Sequence, residues 1–438
     1  MNDNDTIFAL ATPNGKSGVA IIRISGKDAI ASIELFNIKV TLKPRYAHYC
    51  TLHNPTTGCV ADNVLLLYFQ SPHSFTGEDV VEIHCHGSKA VIEEITSILL
   101  SSKCARYAEA GEFTKRAFFN NKLDYVQVEA LHDLIESETP KQKNLALDNL
   151  NGKLSRQYTA LYESIIEARA FCEVFLDFPD DDLPDDLDSQ INSKIRQIQN
   201  QIDSLLLSAD YGRQVKEGIK VAIIGKPNSG KSTLLNALSN KDAAIVSDIE
   251  GTTRDIIEVS IDIKGQQYNF YDTAGLRDTD NIIETIGIEK TKKIYKNADI
   301  VIVLFDISID NYNDALNCIK HENIIYVANK ADLVKNASVS RETILISAIK
   351  NDGLETLKQR ILSSSLSINE ELPVITRQRH IQHLHNAQDH INKALLENDL
   401  TIKASYLIYT GNELLSILGK IDFEDILDSL FSSFCIGK

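Results

Sequence analysis

The segment Gly225-Lys-Pro-Asn-Ser-Gly-Lys231-Ser232 fits the pattern G-x-x-x-x-G-K-[S/T]. It follows the apolar run Ile219–Ile224 and precedes the helical run Thr233–Leu238, the strand-to-helix setting that the pattern requires. In that setting backbone N–H groups and a helix N-terminus cradle phosphates. Asn228, Ser229, Gly230 and Thr233 are the expected contacts beside them. Lys231 would neutralise the β- and γ-phosphates, and the Ser232 hydroxyl would ligate Mg²⁺. The bland reading is a chance glycine-rich turn, which the pattern alone does not exclude.

Three further motifs follow in the order a guanine nucleotide site needs. Asp272-Thr273-Ala274-Gly275 ends an apolar run, where the carboxylate can hold Mg²⁺ through water and the Gly275 N–H can reach a γ-phosphate. Gly251-Thr252-Thr253 lies between it and the phosphate loop, where a threonine hydroxyl, that of Thr253, would reach the metal. Asn329-Lys330-Ala-Asp332 ends a later run. A carboxylate at Asp332 accepts both the guanine N1–H and the 2-amino group; adenine would leave it unpaired, so rejection is strong. Ser347-Ala348 ends the last run, where a backbone N–H would reach the guanine oxygen. Together the motifs imply GTP. One position departs from the Ras-like pattern: Leu276 stands where those GTPases carry the glutamine that orients attacking water.

The elements that must hold these residues are legible around them. Strands are expected at Ile219–Ile224, Ile256–Ile263, Gln267–Tyr271, Ile300–Phe305, Ile324–Ala328 and Thr343–Ile346, with a turn at Gly265. Alternating with helical runs, they describe a doubly wound α/β domain over residues 216–365. Residues 1–119 mix short apolar runs (Gly18–Ile24, Asn63–Phe69, Asp79–Ile83) with a helix at Ala90–Leu100, as in a compact α+β domain. Leu147, Leu150, Leu154, Tyr158, Leu161, Ile165, Ala168, Cys172 and Phe175 recur at steps of three and four, the face of one long helix. After the acidic stretch Asp177–Asp188, Ile191, Ile195, Ile198, Ile202 and Leu205 mark a second. The same period returns beyond Ser365 at Ile381, Leu384, Ile391, Leu395, Leu414, Leu418, Ile426 and Leu430. Residues 120–215 and 366–438 therefore read as one discontinuous helical domain with the α/β domain inserted in it.

Bulk composition narrows the class. A chain of 438 residues with 43% apolar content fills two or three cores. The acidic start lacks the features of a signal peptide, and the longest apolar runs are too short to cross a bilayer, so a cytoplasmic protein is expected. Seven scattered cysteines, an odd number without a Cys-x-x-Cys pair, speak against a disulfide framework or a zinc ribbon. A net charge of −16 argues that any action on RNA is shared with a partner or confined to a local patch.

With these residues in view the chain resembles the MnmE (TrmE) family of tRNA modification GTPases nearly from end to end. The resemblance is carried by Asn4-Asp-Thr-Ile7, Ser74-Phe-Thr-Gly-Glu-Asp79, Gly111-Glu-Phe113 with Arg116-Ala-Phe118, Asp248-Ile-Glu-Gly-Thr-Thr-Arg-Asp255 and the ending Phe434-Cys-Ile-Gly-Lys438. It implies an N-terminal folate-binding and dimerising domain, a helical domain and an inserted P-loop GTPase domain. It also implies G domains that meet across a homodimer, with K⁺ acting where an arginine finger would otherwise act. The positions matching the K⁺ site are Asn228, Ser247, Ile249 and Thr252, within a loop that also carries Asp248, Glu250 and Gly251. The water-orienting glutamate falls on Glu284, which joins Lys231 as a catalytic candidate; its bland reading is a solvated carboxylate at a helix start. The family's folate contacts fall on Arg23, Glu82, Lys122 and Lys438. Their bland readings are strand-end charges, a turn residue and a frayed tail.

By the same resemblance, a tetrahydrofolate-borne carbon is added at C5 of the wobble uridine of certain tRNAs, with the flavoprotein MnmG (GidA) as partner. A GTPase switch of ribosome assembly, similar to Era and EngA, shares the G-domain motifs. It is set apart by a basic RNA-binding domain or a second G domain, neither of which is legible here. A folate-dependent transferase with a merely regulatory G domain is a lesser alternative. His84-Cys-His86 could suggest a metal site but has no further ligand set, the histidines from His380 to His390 read as a polar helix surface, and Cys435 is a thiol without an assigned role.

Overall fold

The computed structural model describes residues 5–177, 187–239, 244–245, 257–272, 296–309, 321–334, 342–366, 372–421, 431, 434 and 437. The protein is a multidomain α/β and α chain. It divides into two compact units: residues 1–132, 150–162 and 411–438 form the first, and residues 133–149 and 163–410 the second.

The first unit is built on a six-stranded sheet in the order β3-β4-β5-β2-β1-β6. Its strands are β1 (Thr6–Leu10), β2 (Ser17–Ser25), β3 (His48–His53), β4 (Val60–Phe69), β5 (Val80–Gly87) and β6 (Ala105–Tyr107). Only the β1–β6 pair among them is parallel. Because side chains alternate across a strand, Ile22, Ile24, Leu52, Leu66 and Ile83 fall on one face. There they pack with Ile33 of helix α1 (Ala29–Glu34) and with Ile95 and Leu99 of α2 (Lys89–Ser101). The intervening positions form the opposite face, where Leu67, Glu82, Arg23 and Ala9 lie in one row across β4, β5, β2 and β1. Helix α3 (Glu112–Phe119) packs Phe113 against Ile7 and Ala9 on this face. Its Glu112 is 2% exposed; it accepts from Arg106 at 2.9 and 2.7 Å, from Arg116 at 3.1 Å and from the Glu109 N–H at 2.8 Å. Burial raises the Glu112 pKa, but the hydrogen bonds from Arg106, Glu109 and Arg116 outweigh it and hold the carboxyl below its ordinary value.

Helices α4 (Tyr125–Ile135), α5 (Pro140–Leu150) and α6 (Lys153–Asp177) follow. The single long helix expected from Leu147 onward is interrupted. Gly152, in the left-handed region at φ +80°, turns the chain, and its carbonyl accepts the first hydrogen bond of α6, from Arg156 N at 2.9 Å. Leu154, Tyr158, Leu161, Ile165, Ala168 and Cys172 then form one buried stripe, whereas in α5 it is Ala146 and Asn149 that are buried. The periodicity ran through the break because a two-residue turn barely shifts a three-four pattern. Helix α7 (Leu187–Leu207) buries the five expected apolar residues, and α8 (Ala209–Glu217) leads into the second sheet.

That sheet has seven strands in the order β13-β12-β11-β7-β10-β9-β8. They are β7 (Ile219–Ile224), β8 (Ala244–Ile245), β9 (Ile257–Ile263), β10 (Gln266–Asp272), β11 (Ile300–Asp306), β12 (Ile324–Asn329) and β13 (Ile344–Leu345). β13, β12, β11, β7 and β10 run parallel, and β9 and β8 complete the sheet antiparallel. Every residue of β11 is buried, as a parallel strand covered on both faces must be. Leu234 and Leu238 of α9 (Lys231–Ser239) and Leu354, Leu357 and Ile361 of α10 (Leu354–Ser363) pack on one face; Ala222, Val301 and Val303 line the other. Helices α11 (Gln378–Leu396) and α12 (Leu400–Ile417) follow, with Leu384, Ile391 and Leu414 buried as the period requires. The chain order reverses on either side of β7, which puts a crevice beyond the carboxyl ends of β7, β10 and β11. Among the described residues no helix is long and apolar enough to cross a membrane.

Candidate nucleotide and folate sites

The phosphate loop fills the crevice at the end of β7. Its glycines are steric requirements: a Cβ at Gly225 would lie 2.2 Å from the Leu304 carbonyl oxygen, and one at Gly230, at φ +94°, would lie 2.3 Å from Asn329 Nδ2. Asn228 adopts φ +63°, a left-handed conformation that asparagine tolerates better than most residues. Lys231, 6% exposed, opens α9 and turns its ammonium back into the loop, donating to the carbonyls of Gly225 at 2.7 Å and Lys226 at 3.2 Å. Ser232 and Thr233 are exposed in the first turn of that helix. The Ser229 hydroxyl is buried and has no hydrogen-bond partner among the described residues. A buried hydroxyl in a ring of phosphate-binding positions fits a phosphate oxygen as its partner.

The base side of the site is assembled from the ends of β11, β12 and β13. Asn329, 3% exposed, donates from Nδ2 to the Ser229 carbonyl at 2.9 Å and accepts at Oδ1 from the Ala348 N–H at 3.1 Å. Asp332 is exposed and accepts from the Ser347 hydroxyl at 2.7 Å; that hydrogen bond holds its carboxyl below the ordinary value. Ser347 and Lys350 also spend their N–H groups internally, on Asp352 O at 3.0 Å and Ser347 Oγ at 3.3 Å. Lys330 sits at φ +63° and reaches Asp306 Oδ2 at 2.6 Å. Asp306 had no signal in the sequence beyond its place after an apolar run.

A Mg²⁺ ion fits the exposed Ser232 hydroxyl at the start of the helix that follows β7, an oxygen donor of the kind this hard cation takes. The backbone of Asp272 ends β10, which pairs in parallel with β7 so that Asp272 is the register partner of Ile223. Ser247, Asp248, Ile249, Glu250, Gly251, Thr252, Thr253, Thr273, Ala274, Gly275, Leu276 and Glu284 lie outside the described residues, as do Cys435 and Lys438.

In the first unit, Arg23 and Glu82 are register partners on β2 and β5, and Arg23 Nε donates to Glu82 Oε1 at 2.9 Å. His84, two residues along β5 on the same face, places Nε2 3.4 Å from Glu82 Oε2. The Arg23 guanidinium lies 5.8 Å from the ring centres of both Phe75 and Phe113. Lys122 donates to the Pro72 carbonyl at 3.0 Å, beside the loop that carries Phe75. Gly437, one residue before Lys438, is pressed against the end of β1, where a Cβ would lie 2.2 Å from the Leu10 carbonyl oxygen. Phe431 and Phe434 anchor this tail against Tyr125 and Val128 of α4. The Arg23 guanidinium thus connects the Phe75 and Phe113 rings to the Glu82 carboxylate, an acceptor whose chemistry suits the amide-type edge of a flat ring. The sequence marks His84 only within His84-Cys-His86, and Phe75 and Phe113 only as members of family motifs; their meeting around Arg23 and Glu82 depends on the fold. His86 turns to Asp62, with Nδ1 2.8 Å from Oδ1, and no cluster of three metal-ligating side chains occurs among the described residues.

Residues 6–122 match the family model described as the GTP-binding protein TrmE N-terminus, and residues 125–435 match that of the MnmE helical domain. The tRNA modification GTPase MnmE of Rickettsia bellii is 39% identical over 444 residues, covering 99% of this chain and 100% of its own. That of Rickettsia rickettsii is 40% identical over 445 residues and that of Aquifex aeolicus 37% over 448, each with the same coverage. The G domain of the FeoB iron transporter of T. maritima matches 34% of this chain and 99% of its own at 26% identity, with a TM-score of 0.27. Family membership rests on the sequence matches, which run the length of both partners: the chain belongs to the MnmE family of tRNA modification GTPases.

Proposed function

We propose that this protein hydrolyses GTP to drive addition of an aminomethyl or carboxymethylaminomethyl group at C5 of the wobble uridine of certain tRNAs. The carbon comes from a tetrahydrofolate derivative, and the flavoprotein MnmG (GidA) is the partner. The observation that carries the reading is the join at Asn329, which ties a phosphate loop to a carboxylate-bearing base site in a chain whose relatives are tRNA modification GTPases from end to end. Residues 216–365 form the G domain, 1–119 the folate-binding and dimerising domain, and 120–215 with 366–438 the helical domain.

In this reading Asp332 recognises the guanine edge, and Lys231 leaves the loop carbonyls for the β- and γ-phosphates. Ser232 and Thr253 hold Mg²⁺, which supplies charge neutralisation between the phosphates. Two G domains of a homodimer meet around K⁺ held by Asn228, Ser247, Ile249 and Thr252, and Glu284 orients the water in place of the glutamine missing at Leu276. Glu82 takes the pterin edge of the folate, Arg23 holds Glu82 in place, and Lys122 and Lys438 take the acidic tail. The acidic chain shares its grip on tRNA with its cytoplasmic partner. Nucleoside analysis of tRNA from cells lacking the gene tests the reading. Loss of the C5-modified wobble uridines is expected; an unchanged profile overturns it.

A further inference from the structure

We propose that Asp306 is a positioning residue of the base site, holding Lys330 so that its methylene stem lies across the face of a bound guanine. The proposal rests on the reading of Asn329–Asp332 as a guanine site and adds a residue to it.

Asp306 is the last residue of β11 and the register partner of Asn329, the last residue of β12. It is 4% exposed at the mouth of the crevice, where a carboxylate needs compensation. Part of that is local, since the N–H and hydroxyl of Ser308 donate to Oδ1 at 3.0 and 2.6 Å. Oδ2 takes Lys330 Nζ at 2.6 Å. Burial pushes the Asp306 pKa up, yet the hydrogen bonds from Lys330 and Ser308 hold it below the ordinary value, so the group stays charged.

The consequence is geometric. Lys330 leaves β12 in a left-handed conformation between Asn329 and Asp332, and its head is fixed at the end of the neighbouring strand. Its four methylenes must therefore run over the carboxyl ends of β12 and β11. That is the same rim on which Asn329 and Asp332 face the base. A lysine stem in that place offers an apolar surface to a purine ring, while its charge is neutralised away from the base edge. Left unpaired, such a stem would sample several rotamers and lose much of this contact to entropy.

The test uses Asp306→Asn, which keeps an acceptor for Ser308 and removes the charge, in equilibrium titrations of the full chain with GDP, GTP and ITP. GDP and GTP should weaken alike, by about tenfold, the size expected for one charge-assisted hydrogen bond. The ratio of ITP to GTP affinity, set by the Asp332 edge, should stay as in the wild type. In a Lys330→Met background, where the stem is kept and the charge is gone, Asp306→Asn should add no further loss. Affinity within twofold of wild type, losses that add across the two substitutions, or a changed ITP to GTP ratio would each overturn the assignment. Wild-type chain that binds ATP as tightly as GTP would instead overturn the guanine reading beneath it.

Discussion

Asn329 joins the two halves of the nucleotide site: its amide nitrogen donates to the Ser229 carbonyl of the phosphate loop at 2.9 Å while its amide oxygen accepts from Ala348 at 3.1 Å. A hundred residues of chain separate Asn329 from the loop it braces. The shape of the phosphate cradle is therefore set in part from the base side.

Asn329→Ala removes both hydrogen bonds from a buried position and leaves the Ser229 carbonyl and Ala348 N–H unpaired. At about 1–3 kcal/mol for each stranded group, GDP should bind on the order of a hundredfold more weakly. Isothermal titration of the variant reads this directly, and an affinity within threefold of wild type would count against the bracing role.

Asp332→Asn replaces two acceptors with one acceptor and one donor. GTP affinity should fall by at least tenfold and xanthosine triphosphate should become the better ligand. Because the hydrogen bond from Ser347 depresses the Asp332 pKa, the carboxylate persists as pH falls to the usual carboxylate range. Base recognition should therefore be constant from neutral pH down to that range and be lost only below it.

With Leu276 unable to orient water and a cation beside Asn228 taking over charge stabilisation as proposed, hydrolysis should run at least tenfold faster in K⁺ than in Na⁺ at equal ionic strength. Glu284→Ala should lose most turnover while keeping GTP affinity. Equal rates in the two salts would remove the cation; a large loss of binding in the variant would make Glu284 structural.

With Glu82 taking the pterin edge as proposed, calorimetry with a reduced folate should give binding that weakens at least tenfold in Glu82→Ala. No heat with the intact protein would remove the folate assignment.

Glu112→Gln leaves Arg106 and Arg116 without their shared carboxylate and should destabilise the first unit by about 3 kcal/mol. The folded pKa of Glu112 is depressed, so its contribution is complete above the unfolded glutamate value and disappears as pH falls through the folded one. Chemical denaturation at neutral pH and at pH below the glutamate range should show the variant's deficit shrinking with acid.

The sequence by itself determined whatever a single stretch of backbone encodes. The phosphate loop, the Asn329–Asp332 motif and the six strands around them were legible because each chemical group follows its own strand within a few residues, and buried parallel strands must be apolar throughout. Tertiary structure decided what depends on register and on the strand order. Arg23 meets Glu82 only because β2 and β5 pair antiparallel at that residue, and His84 joins them because β5 alternates its side chains. Asp306 reaches Lys330 only because β11 and β12 end side by side. The break at Gly152 escaped the periodicity because a turn of two residues preserves a helical count while changing the direction of the chain. Hydrophobic pattern reports which side of an element is buried; it carries no information on which strand, and which residue of it, comes to lie alongside.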